Sequence, residues 1–265
     1  MSEPAVVVDG LWEGFRRRGR YGWRRRGEPR WALRDVSLTV GRGRALGVIG
    51  ANGSGKTTLL QVLAGVLPPT RGSVDARGRT ASLVDLSAGF HRDLTGHENV
   101  LVGGVLLGLS RAEIRRRYDE IVAFSGLPLD ALDAPLSAYS AGMGLRLGFS
   151  LVVHTDPDVL LVDEVLAVGD EAFQRQGIAR IDQLRDAGTT LVLVSHDLEL
   201  VRTHCDEVAV LERGELARVG PPDEAVAHYR SRRAVAGDVD LSTRGMFDPS
   251  ARSAAARRRR GRNIG

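Results

Sequence analysis

An α/β fold with a buried parallel sheet is predicted by three features of the sequence. The segment Gly50-Ala51-Asn52-Gly53-Ser54-Gly55-Lys56-Thr57-Thr58 lies between an apolar run, Ala45 to Ile49, and a helix-compatible stretch, Lys56 to Ala64. Two more apolar runs, Val159 to Val162 and Thr190 to Val194, are short enough for strands covered on both faces, and a helical stretch from Phe173 to Arg185 separates them. Polar groups end both runs, Asp163-Glu164 the first and Ser195-His196-Asp197 the second, where an open parallel sheet gathers its ligands.

In chain order, Val6 to Val8 and Val36 to Val40 read as short strands flanking an arginine-rich insertion at about 16–30. The strand Ala45 to Ile49 and the helix after it follow. Ser73 to Val84 reads as one or two strands broken by Gly78. Gly96 to Leu109 has helical composition, and Ser110-Arg111-Ala112-Glu113 has the spacing of a capping box for a helix running to Phe124. A further helix is expected from about Met143 to His154, so residues 95–155 form a helical subdomain inserted into the α/β domain. Asp197 to Thr203 is helical in pattern, and Val208 to Leu211 with Arg213-Gly214-Glu215-Leu216 reads as an antiparallel hairpin. Residues 1–235 are expected to form this one domain and residues 236–265 a basic, disordered tail.

Each polar segment has a chemistry that its residue types suit. Glycines let the Gly50–Thr57 backbone wrap a phosphate, so that N–H groups and a helix N-terminus point at it. Lys56 adds a mobile positive charge and the Thr57 hydroxyl is a magnesium ligand. Asp163 is suited to hold magnesium through water, and Glu164 to orient or deprotonate an attacking water. His196 leaves the neighbouring strand, where a hydrogen bond to a terminal phosphate is within reach. Three consecutive residues point in different directions, which excludes Ser195-His196-Asp197 as a hydrolase relay. Tyr139-Ser140-Ala141-Gly142-Met143 places a hydroxyl and small residues at a helix start, a second phosphate-binding geometry.

Composition narrows the class. The chain has 265 residues, 43% hydrophobic and 26% charged, enough for a substantial core. It holds no apolar run of the roughly 20 residues a bilayer span needs, and its N-terminus lacks the order of a secretory signal, so the nucleotide site is expected in the cytoplasm. The one cysteine, Cys205, excludes an internal disulfide, and the histidines have no zinc-site spacing. The net charge of +4 is concentrated in two blocks, Arg16 to Arg30 with Tyr21, Trp23 and Trp31 interleaved, and Arg252 to Arg262. Arginines beside aromatic rings suit an anionic membrane surface or a nucleic-acid backbone.

In this order, Gly50 to Thr57, Tyr139 to Met143, Asp163-Glu164 and His196 resemble the ATPase subunit of ATP-binding-cassette transporters over residues 5–230. The resemblance implies a phosphate-loop NTPase core of that type, with an N-terminal antiparallel β subdomain, ATP and Mg2+ as ligands, and a head-to-tail homodimer. Ser140 and Gly142 then belong to a signature loop that meets the γ-phosphate on the partner's Lys56. Gly169 and Asp170, after Val168, occupy the loop joining the two sites, and His196 is the switch histidine. Phe15 takes the adenine-stacking position, with Tyr21 and Trp31 as competitors. The glutamine usual between the subdomains is missing from Leu83 to His91, where Asp85 is a weak substitute for metal coordination.

Ser87 to His91, Leu94 to Asn99 and Tyr139 to Met143, with Trp31 to Ser37, are similar to ATPases that export lipid-linked O-antigen or teichoic acid. Those subunits work as a homodimer beneath two copies of a separate integral-membrane permease, which implies a peripheral place on the cytoplasmic face of the plasma membrane. Some members carry an added β-sandwich that binds the sugar chain. About 35 residues follow Tyr229, too few and too polar for one, so this chain is expected to recognise its permease rather than the polymer. A soluble ATPase gripping nucleic acid is the alternative; the single cassette, without a long linker to a second one, argues against it.

Overall fold

The side chains of three antiparallel strands and of a mostly parallel sheet share one core, which positions the glycine-rich loop between them. The computed structural model describes residues 3–15, 29–84, 89–163 and 169–243. The insertion at 16–28, Asp85, Glu164, Val168 and residues 244–265, including the second arginine block, lie outside them. The chain divides into two units, Met1–Val226 and Ala227–Gly265.

In the first unit, β1 (Pro4–Phe15) pairs antiparallel with β2 (Arg30–Gly41) on one side and β4 (Arg71–Ala76) on the other. Burial in β2 alternates over Val36, Leu38 and Val40, so one face is apolar and the other wet. The second sheet has the order β5-β6-β7-β3-β8-β9: β5 (Thr80–Ser82), β6 (Val159–Val162), β7 (Thr190–Val194), β3 (Ala45–Ile49), β8 (Glu207–Glu212) and β9 (Glu215–Gly220). All its pairings are parallel except β8 with β9. Every residue of β3, β6 and β7 is buried, as their unbroken apolar runs require. Gly47 sits in the middle of β3 because a β-carbon there would press into Val201 and Cys205. The first core joins both sheets with α1 (Lys56–Leu63), through Leu11, Leu33, Val48, Leu59, Leu60 and Val194 among others.

A second core holds α2 (Gly96–Leu106), α3 (Arg111–Ser125), the short α4 (Leu129–Asp133) and α5 (Ala141–Val153) together through Val100, Ile114, Ile121, Leu132, Leu147 and Leu151. Ser110 and Glu113 form both bonds of the capping box at the start of α3, which holds the Glu113 carboxyl down at about 2. Thr95 and Glu98 do the same for α2, a box the sequence reading did not pick out. Each such cap is worth about 1 kcal/mol. Gly126 ends α3 at φ 61, in the left-handed region that a β-carbon disfavours. The α/β class, the antiparallel subdomain and the inserted helices therefore stand as the sequence predicted.

Three differences of detail have physical causes. α5 begins at Ala141 rather than near Met143, because the Ser140 hydroxyl accepts from the Met143 N–H and starts the helix earlier. α6 spans Glu171–Asp186 and α7 Leu198–His204, each entered through an aspartate cap, Asp170 and Asp197. α8 (Pro222–Thr243) had no counterpart in the sequence reading, although Pro222 at its first position with Asp223 and Glu224 in its first turn is a helix-start signal. It runs on through 236–243, a stretch read from the sequence as tail. Cys205 is buried and burial pushes its thiol up to about 12, so it is a core group and no nucleophile.

Candidate nucleotide site

The loop between β3 and α1 is built to receive an anion. Gly53 and Gly55 hold φ 76 and 110, and a β-carbon on Gly55 would lie 2.6 Å from the Ala32 carbonyl oxygen. Gly55 is also the N-cap of α1, which has no side-chain cap and no acid in its first turn. Its first N–H groups are thus left for a ligand, and the helix dipole favours a negative one. Lys56 is only 7% exposed. Its Nζ donates to the carbonyls of Gly50 (2.9 Å) and Ala51 (3.2 Å), folding back on the loop it belongs to. The Ser54 hydroxyl is buried without a hydrogen-bond partner among the described residues. A buried orphan hydroxyl is worth about 1–3 kcal/mol of instability, which a bound phosphate oxygen relieves.

The loop opens into a cleft of about 970 Å3 lined by Asn52, Gly53, Gly55, Lys56, Thr57 and Thr58 from the loop and α1, and by Asp163 at the end of β6. Thr57 and Asp163 thus share one cavity, and hydroxyl and carboxylate oxygens are the donors Mg2+ prefers. No cluster of three or more metal-ligating side chains exists among the described residues. A hard cation would therefore complete its shell with water and phosphate oxygens, as Mg2+ does. Phe15 and Trp31 both line the cleft. Phe15 is 49% exposed, whereas Trp31 packs edge-on against Trp12 at 5.2 Å and lies beneath the Arg71 guanidinium. The open ring is Phe15.

Other sequence-predicted residues stand elsewhere. His196 follows β7 in an exposed turn and is not among the cleft-lining residues. Its neighbours serve the backbone: the Ser195 hydroxyl accepts from the Asp197 N–H at 3.0 Å, and the Asp197 carboxylate caps α7. Both polar side chains flanking His196 are thus engaged with backbone N–H groups. Ser140, Ala141 and Gly142 are exposed at the start of α5, also away from the cleft, with open space beside Gly142 and Gly144. Tyr139 instead packs into the helical core; its hydroxyl is buried without a partner among the described residues, and burial raises its pKa. Gly169 holds φ 83 and the Asp170 carboxylate accepts from the Phe173 N–H at 2.8 Å, so this loop is set by the start of α6. Glu164 and Asp85 fall outside the described residues.

Sequence reasoning missed the arginines. Arg30 and Arg34 of β2 and Arg213 of the β8–β9 turn also line the cleft. Arg30 belongs to a block read as a surface anchor, and only the pairing of β1 with β2 brings it to the nucleotide side. No helix among the described residues is long and apolar enough to cross a membrane.

A glycine-rich loop feeding an uncapped helix, a strand-end aspartate in the same cleft and an inserted helical subdomain define a phosphate-loop ATPase. The ABC transporter family model matches residues 33–167, about half of the chain, and the chain belongs to that family. An O-antigen export system ATP-binding protein of Myxococcus xanthus is 47% identical over 75% of this chain and 45% of its own length. A teichoic acids export ATP-binding protein of Levilactobacillus brevis is 42% identical over 76% of this chain and 55% of its own. The chain thus spans about half the length of these two relatives. Among solved structures, a dimeric ATP-binding cassette in a post-hydrolysis state with ADP and Pi superposes with a TM-score of 0.68 at 21% identity, covering 82% of this chain and 98% of that one. This last likeness bears on the fold.

Proposed function

We propose that this chain powers export of a lipid-linked polysaccharide of the O-antigen or teichoic-acid kind, as a homodimer under two copies of a separate membrane permease. The observation that carries the composite-site part of this reading is the separation of Ser140 from the cleft. Ser140, exposed at a helix start and not among the residues lining its own chain's cleft, would in this reading cover the pocket of a second copy. The transported class rests on the names of the two relatives. A permease partner is supported by α2, which turns Leu101, Val102, Val105 and Leu106 to solvent, 41–67% exposed. Neighbouring exposed apolar side chains on one helix mark an interaction surface. The Arg16–Arg26 block would then add attraction to anionic headgroups beside the permease.

In this reading Lys56 leaves the carbonyls of Gly50 and Ala51 for the phosphates, and Ser54 and the start of α1 supply donors. Thr57 directly and Asp163 through water would hold Mg2+, which would supply charge neutralisation on the phosphate oxygens. Phe15 stacks on adenine, Glu164 orients the attacking water, and His196 meets the γ-phosphate. Ser140 and Gly142, with Gly169 and Asp170, close the partner's site.

The test is copurification of the chain from native membranes with its associated permease, followed by ATPase assays of the complex in liposomes with and without polyprenyl-linked glycan. The expected result is a complex of two subunits and two permeases whose turnover rises with the glycolipid. A chain that associates with nucleic acid instead, with turnover raised by DNA or RNA and indifferent to glycolipid, would overturn it.

A further inference from the structure

The β8–β9 turn carries an arginine in a conformation that its side chain disfavours, and the turn is locked onto the phosphate loop. Arg213 has φ 52 and Gly214 φ 88, the two positive values of a two-residue hairpin of the primed kind. Asparagine or glycine is the ordinary first residue of such a turn. Neither is present. The turn is fixed from both sides: the Gly214 N–H donates to the Ser54 carbonyl (2.9 Å), and the Gly214 carbonyl accepts from the Arg34 N–H (2.7 Å). A β-carbon on Gly214 would lie 2.6 Å from the Ala32 oxygen, so only glycine allows this close approach of the turn to β2. Arg213 therefore emerges one residue from a bond to the loop itself, and it lines the same cleft as Lys56 and Thr57. Among the described residues it has neither an ion pair nor a hydrogen bond, whereas its neighbour Arg34 faces Glu215 at 3.8 Å.

We propose that Arg213 is a second cationic contact of the bound nucleotide, pairing with its phosphate chain from the same cleft that Lys56 lines. A non-glycine residue held in the left-handed region persists where the surroundings over-determine it, and such positions gather at ligand clamps. Here the surroundings are two backbone hydrogen bonds and one steric stop. A guanidinium offers planar, paired donors that match phosphate oxygens, which an asparagine better suited to the turn would not. The loop lysine is a point charge with its own route to the phosphates, so the two cations are not redundant.

The inference rests on ATP occupying this cleft, and the experiment separates the two questions. ATP dissociation constants are measured with Mg2+ for the full chain, Lys56→Ala, Arg213→Asn and Arg213→Lys, at two ionic strengths, beside the thermal midpoint of each nucleotide-free protein. Asparagine suits φ 52 better than arginine, so the turn survives and the midpoint holds or rises. Arg213→Asn is expected to bind ATP about 5- to 10-fold more weakly, up to about 1.4 kcal/mol, with a shallower salt dependence than the parent. Arg213→Lys should recover part of the loss. Parental affinity in Arg213→Asn, or a lysine variant no better than asparagine, would overturn the proposal. If Lys56→Ala also binds like the parent, the cleft itself has been misread.

Discussion

The phosphate loop and the start of α5 are both glycine-rich segments entering a helix, yet they are finished differently. At the loop, the α1 N-terminus has no cap, a buried hydroxyl lacks a partner, and Lys56 satisfies itself on its own carbonyls. At α5, the Ser140 hydroxyl already bonds the Met143 N–H, and nothing around Gly142 or Gly144 is crowded. The first site is incomplete as folded and bonds a ligand within its own chain. The second is self-sufficient at its helix start in one subunit and, in the proposed composite site, would meet a ligand only when another copy arrives. An uncapped helix N-terminus beside a buried, unsatisfied hydroxyl is therefore a sharper sign of a binding site in one chain than glycine content is.

The largest test of this contrast acts on chemistry at the incomplete site. Glu164→Gln is expected to keep ATP affinity within about threefold while turnover falls by about 100-fold or more, since glutamine keeps the shape and loses the base. Nucleotide binding and steady-state hydrolysis on one preparation check it, and near-parental turnover would remove Glu164 from the reaction.

At the self-sufficient site, Ser140→Ala and Ser140→Arg separate two roles. Alanine removes the cap and should lower stability by about 1 kcal/mol. Arginine adds bulk to the exposed surface, and is expected to leave ATP binding to one subunit intact while turnover loses its cooperativity. Equal effects of both variants on cooperativity, tracking the loss of stability, would erase the distinction between the two regions.

The smallest effect lies far from both. Burial lowers the pKa of His154, whose Nδ1 bonds the Ser150 carbonyl at 2.6 Å. The unfolded chain then binds the proton more readily than the folded one, so stability is full above about pH 6.5 and falls as the pH drops through the unfolded value. Chemical denaturation at pH 7.5, 6.5 and 5.5 should show this slope, and His154→Phe should flatten it.

The sequence made β3, β6 and β7 legible to the residue, because strands buried on both faces are unbroken apolar runs bounded by polar groups. The phosphate loop was legible for a related reason: its glycines, lysine and hydroxyl are constrained together. Ser140 was read as a phosphate contact, while its capping bond, which moves the α5 start, needed coordinates. The arginines of the cleft were hidden because Arg30, on β2, and Arg213, in the β8–β9 turn, are far apart in sequence and meet only in the folded cleft. Trp31 likewise matched an adenine platform by type, until its edge-on contact with Trp12 showed the ring already engaged.

Cys205 has a practical consequence for following this molecule in motion. It is the only thiol in the chain, and with a pKa pushed up to about 12 almost none of it is thiolate at neutral pH. Thiol reagents attack the thiolate, so the parent protein should be nearly silent to maleimide dyes while folded. A cysteine introduced at Leu129, which is 71% exposed and outside the surface assigned to the partner's nucleotide, becomes the single reactive handle on the chain. Two labelled subunits would then report the approach of one copy to another by energy transfer, without any background mutation.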